Sequence, residues 1–120
     1  MKTQKELNSI YKEMKFRIGV FQIRNTITNK IYVGSSTDLD AIWNRYKFEL
    51  NMGSHPNQKL QQDWSEFGEA NFSYEVLIEI KQDDTKIVDY RKEAKKLEKM
   101  FIEELQPFDD KGYNTKSKIL

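Results

Sequence analysis

The sequence contains no cysteine and only one histidine, His55. The missing thiols exclude disulfide bonds and thiolate zinc sites, and they fit a reducing cytoplasm. The single histidine excludes any site that requires two imidazoles. The sequence also lacks an apolar run near the ~20 residues that cross a bilayer, and residues 1–5 do not lead into an apolar signal core. These absences favour a cytoplasmic protein without a membrane span.

An excess of charge of one sign is missing too. The 20 Lys and Arg residues against 19 Asp and Glu leave a net charge of +1. Proteins that hold nucleic acid by charge alone are usually more basic, so any binding to DNA is expected to be weak or to use local patches. The candidate patches are Lys12, Lys15 and Arg17, the region 45–47, and Lys92, Lys95, Lys96 and Lys99. A solvated helix face is the commoner explanation of such patches.

The 120 residues, 38% hydrophobic and 32% charged, are expected to form one globular domain. Apolar spacing predicts four helices and three strands, and a polar turn joins the first two strands as a hairpin. The predicted helices are 4–15, 38–52, 56–67 and 85–105, and the predicted strands are 16–25, 31–34 and 71–80. This order predicts an α+β fold with a small three-stranded antiparallel sheet, a hairpin plus a third strand, flanked by helices.

Glu98 lies on the apolar stripe of the last predicted helix, four residues after Ala94 and three before Phe101. Burying an unpaired charge is unfavourable, so this carboxylate needs a partner. A divalent metal ion is one candidate. A salt bridge with Arg91 or Lys95, or an edge position open to solvent, is the simpler alternative.

Four other polar residues have both a functional and a structural interpretation. Tyr32 could point its hydroxyl into a cleft at the end of the hairpin, but a cross-strand contact with Phe21 explains it more simply. Tyr46 lies on the apolar stripe of its helix, which is ordinary core packing. His55 lies in a loop, and Asn114 follows a glycine-containing turn. Taken singly, the structural interpretation is the simpler one for each.

Taken together and in order, these residues resemble the GIY-YIG nuclease family, in its homing-endonuclease-like phage branch. The run 19–25 resembles the GIY strand, and the run 32–36 resembles the YIG strand with its following serines. Further matching positions are Leu39, Trp43, His55, Asn57, Leu60, Gln61, Trp64, Phe67, Gly68, Phe72, Glu98, Phe101, Ile102, Tyr113 and Asn114. The resemblance implies a nuclease-like domain at 17–114, after an N-terminal helical extension at 1–16 and before a tail at 115–120.

This resemblance implies a metal-dependent DNA endonuclease, with DNA as partner and no small-molecule cofactor. Glu98 would hold Mg²⁺ or Mn²⁺, which stabilises the leaving oxygen and the phosphate charge. Tyr32 would act near the attacking water, as general base or as its positioner. Tyr46 stands where many members carry histidine and would orient water or phosphate. Supporting contacts to the site or to phosphate would come from Asn114, Ser36 and His55.

Two positions depart from the family pattern. Phe21 replaces the usual tyrosine of the first motif, so the ring is kept and the hydroxyl is lost. Ile42 replaces an arginine that would stabilise charge on the scissile phosphate, and isoleucine donates no hydrogen bond. Core packing explains Ile42 well, and Arg45, three residues on, is a possible substitute for the lost charge.

Three explanations of Ile42 remain open from the sequence. It could be a deliberate inactivating change, a natural loss of catalysis in a module that still binds DNA or protein, or part of an altered catalytic set. The leading hypothesis is a GIY-YIG endonuclease that is weakened or inactive, and the alternative is a catalytically dead binding module. Because homing-type relatives add a separate DNA-reading segment, this chain is expected to bind with little sequence preference.

Overall fold

The computed structural model describes residues 16–116. The predicted helix at 4–15 and the last part of the predicted tail, 117–120, lie outside the described residues. The strands are β1 (Gly19–Asn25), β2 (Ile31–Ser36) and β3 (Phe72–Glu79), and the helices are α1 (Leu39–Met52), α2 (Gln58–Phe67) and α3 (Tyr90–Leu105), with short 3₁₀ turns at Glu69–Asn71 and Asp109–Lys111. The predicted α+β fold is confirmed. No helix in the described range is long and apolar enough to span a membrane.

The sheet has the order β2-β1-β3, with both pairs of neighbours antiparallel. The central strand β1 is buried on both faces, because Val20 and Phe21, which point to opposite sides, are both inaccessible to solvent. Phe21 faces the main core, where Leu39 and Leu50 of α1 meet Leu60 of α2.

Helix α3 covers the opposite face and makes its contacts with β1 and β2. Its buried Ala94 lies beside Ser35, which pairs with Val20 and therefore points away from Phe21. The sheet is consequently a middle layer between α1 and α2 on one side and α3 on the other.

Two predicted helix starts are wrong. Helix α2 begins at Gln58 rather than at Pro56, because the Asn57 side chain caps it by accepting the Leu60 N–H at 3.0 Å. Helix α3 begins at Tyr90 rather than near 85, with Asp89 as its capping residue. Ile87, which the sequence places on the apolar stripe of this helix, is therefore fully exposed in a loop. The apolar stripe of α3 is shorter than predicted.

The C-terminal segment closes the free edge of β2. The Tyr113 N–H donates to the Ile31 carbonyl at 2.9 Å. The Asn114 side chain accepts the Val33 N–H and donates to the Val33 carbonyl, both at 2.8 Å. Tyr32, which lies between these two tethered residues, is thereby held at a defined place along the edge strand.

Candidate active site

Four rings, from β1, β2, α1 and the loop after α1, meet on the core-facing side of β1 and β2. We call Phe21, Tyr32, Tyr46 and His55 the aromatic cluster. Ring centroids are 5.9 Å apart for Phe21 and Tyr46, 6.1 Å for Tyr32 and Tyr46, and 4.6 Å for Tyr46 and His55. The structure thus brings together residues that span positions 21 to 55 of the sequence. The ring centroids of Tyr32 and Phe21 lie 6.4 Å apart, so the cross-strand contact expected from the sequence is present.

The Tyr32 hydroxyl is protonated near neutral pH. Burial is the main cause that raises the pKa of Tyr32 above its usual range, and the neighbouring Tyr46 and the negative charge of Glu98 raise it further. A phenol in this state donates and accepts hydrogen bonds but does not ionise readily. The environment therefore favours a water-positioning role for Tyr32 over that of a pre-formed phenolate base.

His55 is buried, and its tautomer follows from its contacts. The Asn57 N–H donates to His55 Nδ1 at 3.1 Å, so the proton of the neutral ring lies on Nε2. Burial lowers the pKa of His55, which favours this neutral form. Nε2 is buried and has no hydrogen-bond partner among the described residues. His55 is thus a neutral donor with an unused N–H rather than an incidental loop residue.

Glu98 is partly buried on α3, with 19% of its side chain exposed. Lys95 Nζ lies 3.4 Å from Glu98 Oε2, so the salt bridge considered in the sequence analysis is present. Within residues 16–116, no three Asp, Glu, His or Cys side chains are grouped to hold a metal ion. A single carboxylate fits Mg²⁺, because this ion keeps several water ligands and commonly binds through one or two carboxylates plus substrate phosphate.

Ile42 and Arg45, both on α1, each have a partner within the protein. Ile42 packs against the core cluster, as the structural interpretation predicted. Arg45 Nε lies 3.5 Å from Glu49 Oε1, and 71% of the Arg45 side chain is exposed. The side chain at position 42 is therefore used in packing, and the nearby Arg45 guanidinium interacts with a carboxylate.

Asn114 and Ser36 mainly organise the backbone. Asn114 uses both ends of its amide on Val33, next to Tyr32. Ser36 Oγ donates to the Asp38 carbonyl and accepts the Asp38 N–H, both at 2.9 Å, just before α1 begins. Asn114 therefore supports Tyr32 through the backbone of β2. The Ser36 hydroxyl already donates its proton in a hydrogen bond to the Asp38 carbonyl.

Sequence reasoning missed Glu49. Its Oε1 atom is buried without a hydrogen bond from the described residues, and its charge raises the pKa of His55 against the larger effect of burial. The available signal was its place on α1, three residues after Tyr46 and therefore on a neighbouring part of the same helix face. Glu49 adds a carboxylate to the rim of the aromatic cluster.

The GIY-YIG catalytic domain family matches residues 17–114. The chain is 37% identical over 71 residues to "Intron-associated endonuclease 1" of Enterobacteria phage T4, a stretch of 59% of this chain and 29% of that protein. The chain therefore spans less than a third of the length of this curated relative.

Two solved structures of the catalytic domain of the homing endonuclease I-TevI have the same fold, each with a TM-score of 0.68. One, of a mutant, is 31% identical and covers 82% of this chain and 93% of its own. The other is 32% identical and covers 83% and 99%. Together with the match over 17–114, these similarities show that the chain belongs to the GIY-YIG family and has the fold of its catalytic domain.

Proposed function

We propose that this domain is a DNA endonuclease that hydrolyses phosphodiester bonds with one Mg²⁺ or Mn²⁺ ion held by Glu98. The observation that carries the proposal is a partly buried carboxylate, Glu98, whose negative charge acts on the partly buried Tyr32 hydroxyl and raises its pKa as the smallest of four causes. A carboxylate and a hydroxyl so arranged suit metal-assisted hydrolysis. Membership of the family, and a relative named as an endonuclease, support the same activity.

Each side chain of the site has a separate role that follows from its position. Tyr32, tethered at the edge of the sheet, orients a water molecule through its hydroxyl. Tyr46, whose ring centroid lies 6.1 Å from that of Tyr32, holds the Tyr32 ring in place. His55, whose Nε2 atom is buried, packs edge-on against Tyr46 with ring centroids 4.6 Å apart and supports the position of that ring. A bound ion would supply positive charge to the phosphate and to the leaving oxygen.

Ile42 limits the rate of this chain. A preorganised charge stabiliser typically contributes on the order of 3–4 kcal/mol, or about 10²–10³ in rate. Ile42 contributes none, and Arg45 interacts instead with Glu49. The expected enzyme is therefore slower by about this factor than a relative with arginine at this position.

The test is nicking of supercoiled plasmid DNA in Mg²⁺ or Mn²⁺. The unchanged chain is expected to nick slowly, Glu98→Ala to abolish nicking, and the matched variant Glu104→Ala to retain it. Glu104 is exposed on the same helix, so both variants remove one carboxylate from α3. Equal nicking by Glu98→Ala and Glu104→Ala would refute the proposed role of Glu98.

A second candidate is a binding module that has lost catalysis. Two observations favour it: Ile42 is integrated into core packing, and Lys95 already neutralises Glu98. Ile42→Arg separates the two candidates, because it restores the missing charge. The nuclease proposal predicts faster nicking by this variant, whereas no nicking by either form would support the binding module.

A further inference from the structure

A cavity lies on the α3 side of the sheet, away from the core-facing aromatic cluster. It has a volume of about 220 Å³ and opens between the end of β2 and the first half of α3. We call it the basic cradle, and its lining residues are Ser35, Ser36, Thr37, Arg91, Ala94 and Lys95. Its lining combines three hydroxyls with two cations and contains no carboxylate.

Several of these groups are available to a ligand. The Ser35 and Thr37 hydroxyls make no hydrogen bonds, and the Arg91 guanidinium makes no ion pair, with any residue in the described part of the chain. Elsewhere in that part, Arg17, Arg24 and Arg45 each interact with a carboxylate. A planar guanidinium beside hydroxyl donors matches the oxygens of a phosphate group.

The cradle lies close to Glu98 along the same helix. At a rise of ~1.5 Å per residue, Lys95 is about 4.5 Å and Arg91 about 10.5 Å from Glu98 along the α3 axis. Lys95 also contacts Glu98 directly, so the cradle and the candidate metal ligand adjoin. Successive phosphates of one DNA strand are ~3.4 Å apart along the duplex axis. A strand whose scissile phosphate lies at Glu98 therefore presents another phosphate at the cradle about one to three nucleotides away.

We propose that the basic cradle binds a non-scissile backbone phosphate of the DNA strand, with Arg91 as its principal ligand. The inference rests on the proposed nuclease function and adds a substrate subsite to it. Phosphate contacts position a protein along DNA without reading its sequence. The cradle thus sets which phosphodiester lies against Glu98, and it contributes affinity that is independent of base sequence.

The test measures binding of a fluorescent DNA duplex by anisotropy over a series of salt concentrations, with EDTA present so that no cutting occurs. Arg91→Ala is expected to weaken binding and to reduce the slope of log K against log salt by about 0.9, the value for one lost phosphate contact. Lys92→Ala is the matched control, since it removes the same charge from the next, exposed residue of α3, outside the cradle. Ser35→Ala is expected to weaken binding with the slope unchanged.

Equal changes in slope for Arg91→Ala and Lys92→Ala would overturn the inference, because they would indicate general charge rather than a site. Absence of DNA binding would overturn it as well. Nicking is measured separately. If the chain nicks DNA but Arg91→Ala changes the salt slope no more than Lys92→Ala does, the cradle is refuted and the nuclease function stands. If Arg91→Ala alone changes the slope but the chain does not nick DNA, only the nuclease function is refuted.

Discussion

Tyr32 and His55 carry the exchangeable protons of the candidate site, and burial keeps both groups neutral near pH 7. Desolvation disfavours the charged form of either group, so it raises the pKa of the phenol and lowers the pKa of the imidazole. Both side chains therefore act as hydrogen-bond donors of fixed direction. Negative charge comes to the site from Glu98, which acts on Tyr32, and from Glu49, which acts on His55.

Tyr32→Phe is expected to lower the nicking rate about 10²-fold, because the ring is kept and the water-positioning hydroxyl is lost. Tyr74→Phe is its matched control. The Tyr74 hydroxyl donates to the Leu39 carbonyl at 2.6 Å, so its loss reduces the free energy of unfolding by about 1 kcal/mol and leaves the rate of the folded protein unchanged. Equal nicking rates for the two variants would contradict the role given to Tyr32.

His55 makes stability depend on pH. Its pKa in the folded protein lies below the unfolded value of about 6.5, so the unfolded chain binds more protons between these two values. The free energy of unfolding is therefore full above pH ~6.5 and falls as the pH drops through that value toward the folded pKa.

The measurement is urea unfolding across this pH range, with His55→Gln as the comparison. Because His55 is the only histidine in the sequence, the variant is expected to lose the pH dependence in this window. An unchanged pH dependence in His55→Gln would show that another group is responsible.

At the scale of elements, two glycines permit the close packing of the sheet under the aromatic cluster. A Cβ at Gly34 would lie 2.6 Å from the ring of Phe21, which stands directly over this residue of β2. A Cβ at Gly19 would lie within 1.9 Å of the Ile78 carbonyl oxygen, where β1 meets the irregular part of β3. A Cβ at Gly34 would therefore meet a side chain, whereas a Cβ at Gly19 would meet backbone.

Gly34→Ala is expected to lower the free energy of unfolding by about 1–3 kcal/mol, the usual range for overpacking. Gly19→Ala is expected to be more damaging, because a strand carbonyl cannot move without breaking sheet contacts. Gly34→Ala should also slow nicking, since the displaced Phe21 ring contacts Tyr32 and Tyr46.

Gly53→Ala provides the comparison for this pair. Gly53, in the turn that ends α1, has φ 77° and open space where a Cβ would lie, so its substitution strains the backbone without displacing a side chain of the cluster. It is expected to lower stability by about 1–2 kcal/mol without slowing the folded protein. Urea unfolding and nicking of the three variants test this order, and a Gly34→Ala protein with full activity would contradict the link between Gly34 and the cluster.

The sequence predicted the strands, the helix α1 and the odd position of Glu98 because each is a local pattern of spacing. It misplaced the start of α3, because Ile87 continues the apolar spacing of the helix in the sequence. In the structure the Asp89 side chain caps the helix, so Ile87 lies before its first residue. It also could not reveal the basic cradle. Arg91 and Ser35 come together only through the packing of α3 on β2, a contact between residues distant in the chain.

At the scale of the whole molecule, the net charge is near neutral, but the positive charges are not all paired with carboxylates. Arg17, Arg24 and Arg45 interact with carboxylates, whereas Arg91 has no ion pair among the described residues. Uncompensated positive charge is thus available beside the basic cradle and close to Glu98. We expect DNA binding to be weak, strongly salt-dependent and almost indifferent to sequence.

The most direct test of the central claim is the single-turnover nicking rate of this chain and of Glu98→Ala, measured across a range of Mn²⁺ concentrations. The account predicts that the unchanged chain nicks DNA at a rate that saturates with Mn²⁺ and vanishes in EDTA. Glu98→Ala is predicted to fall at least about 10²-fold and to lose saturation. Nicking in EDTA, or equal saturating rates for the two proteins, would contradict a hydrolytic site built on Glu98.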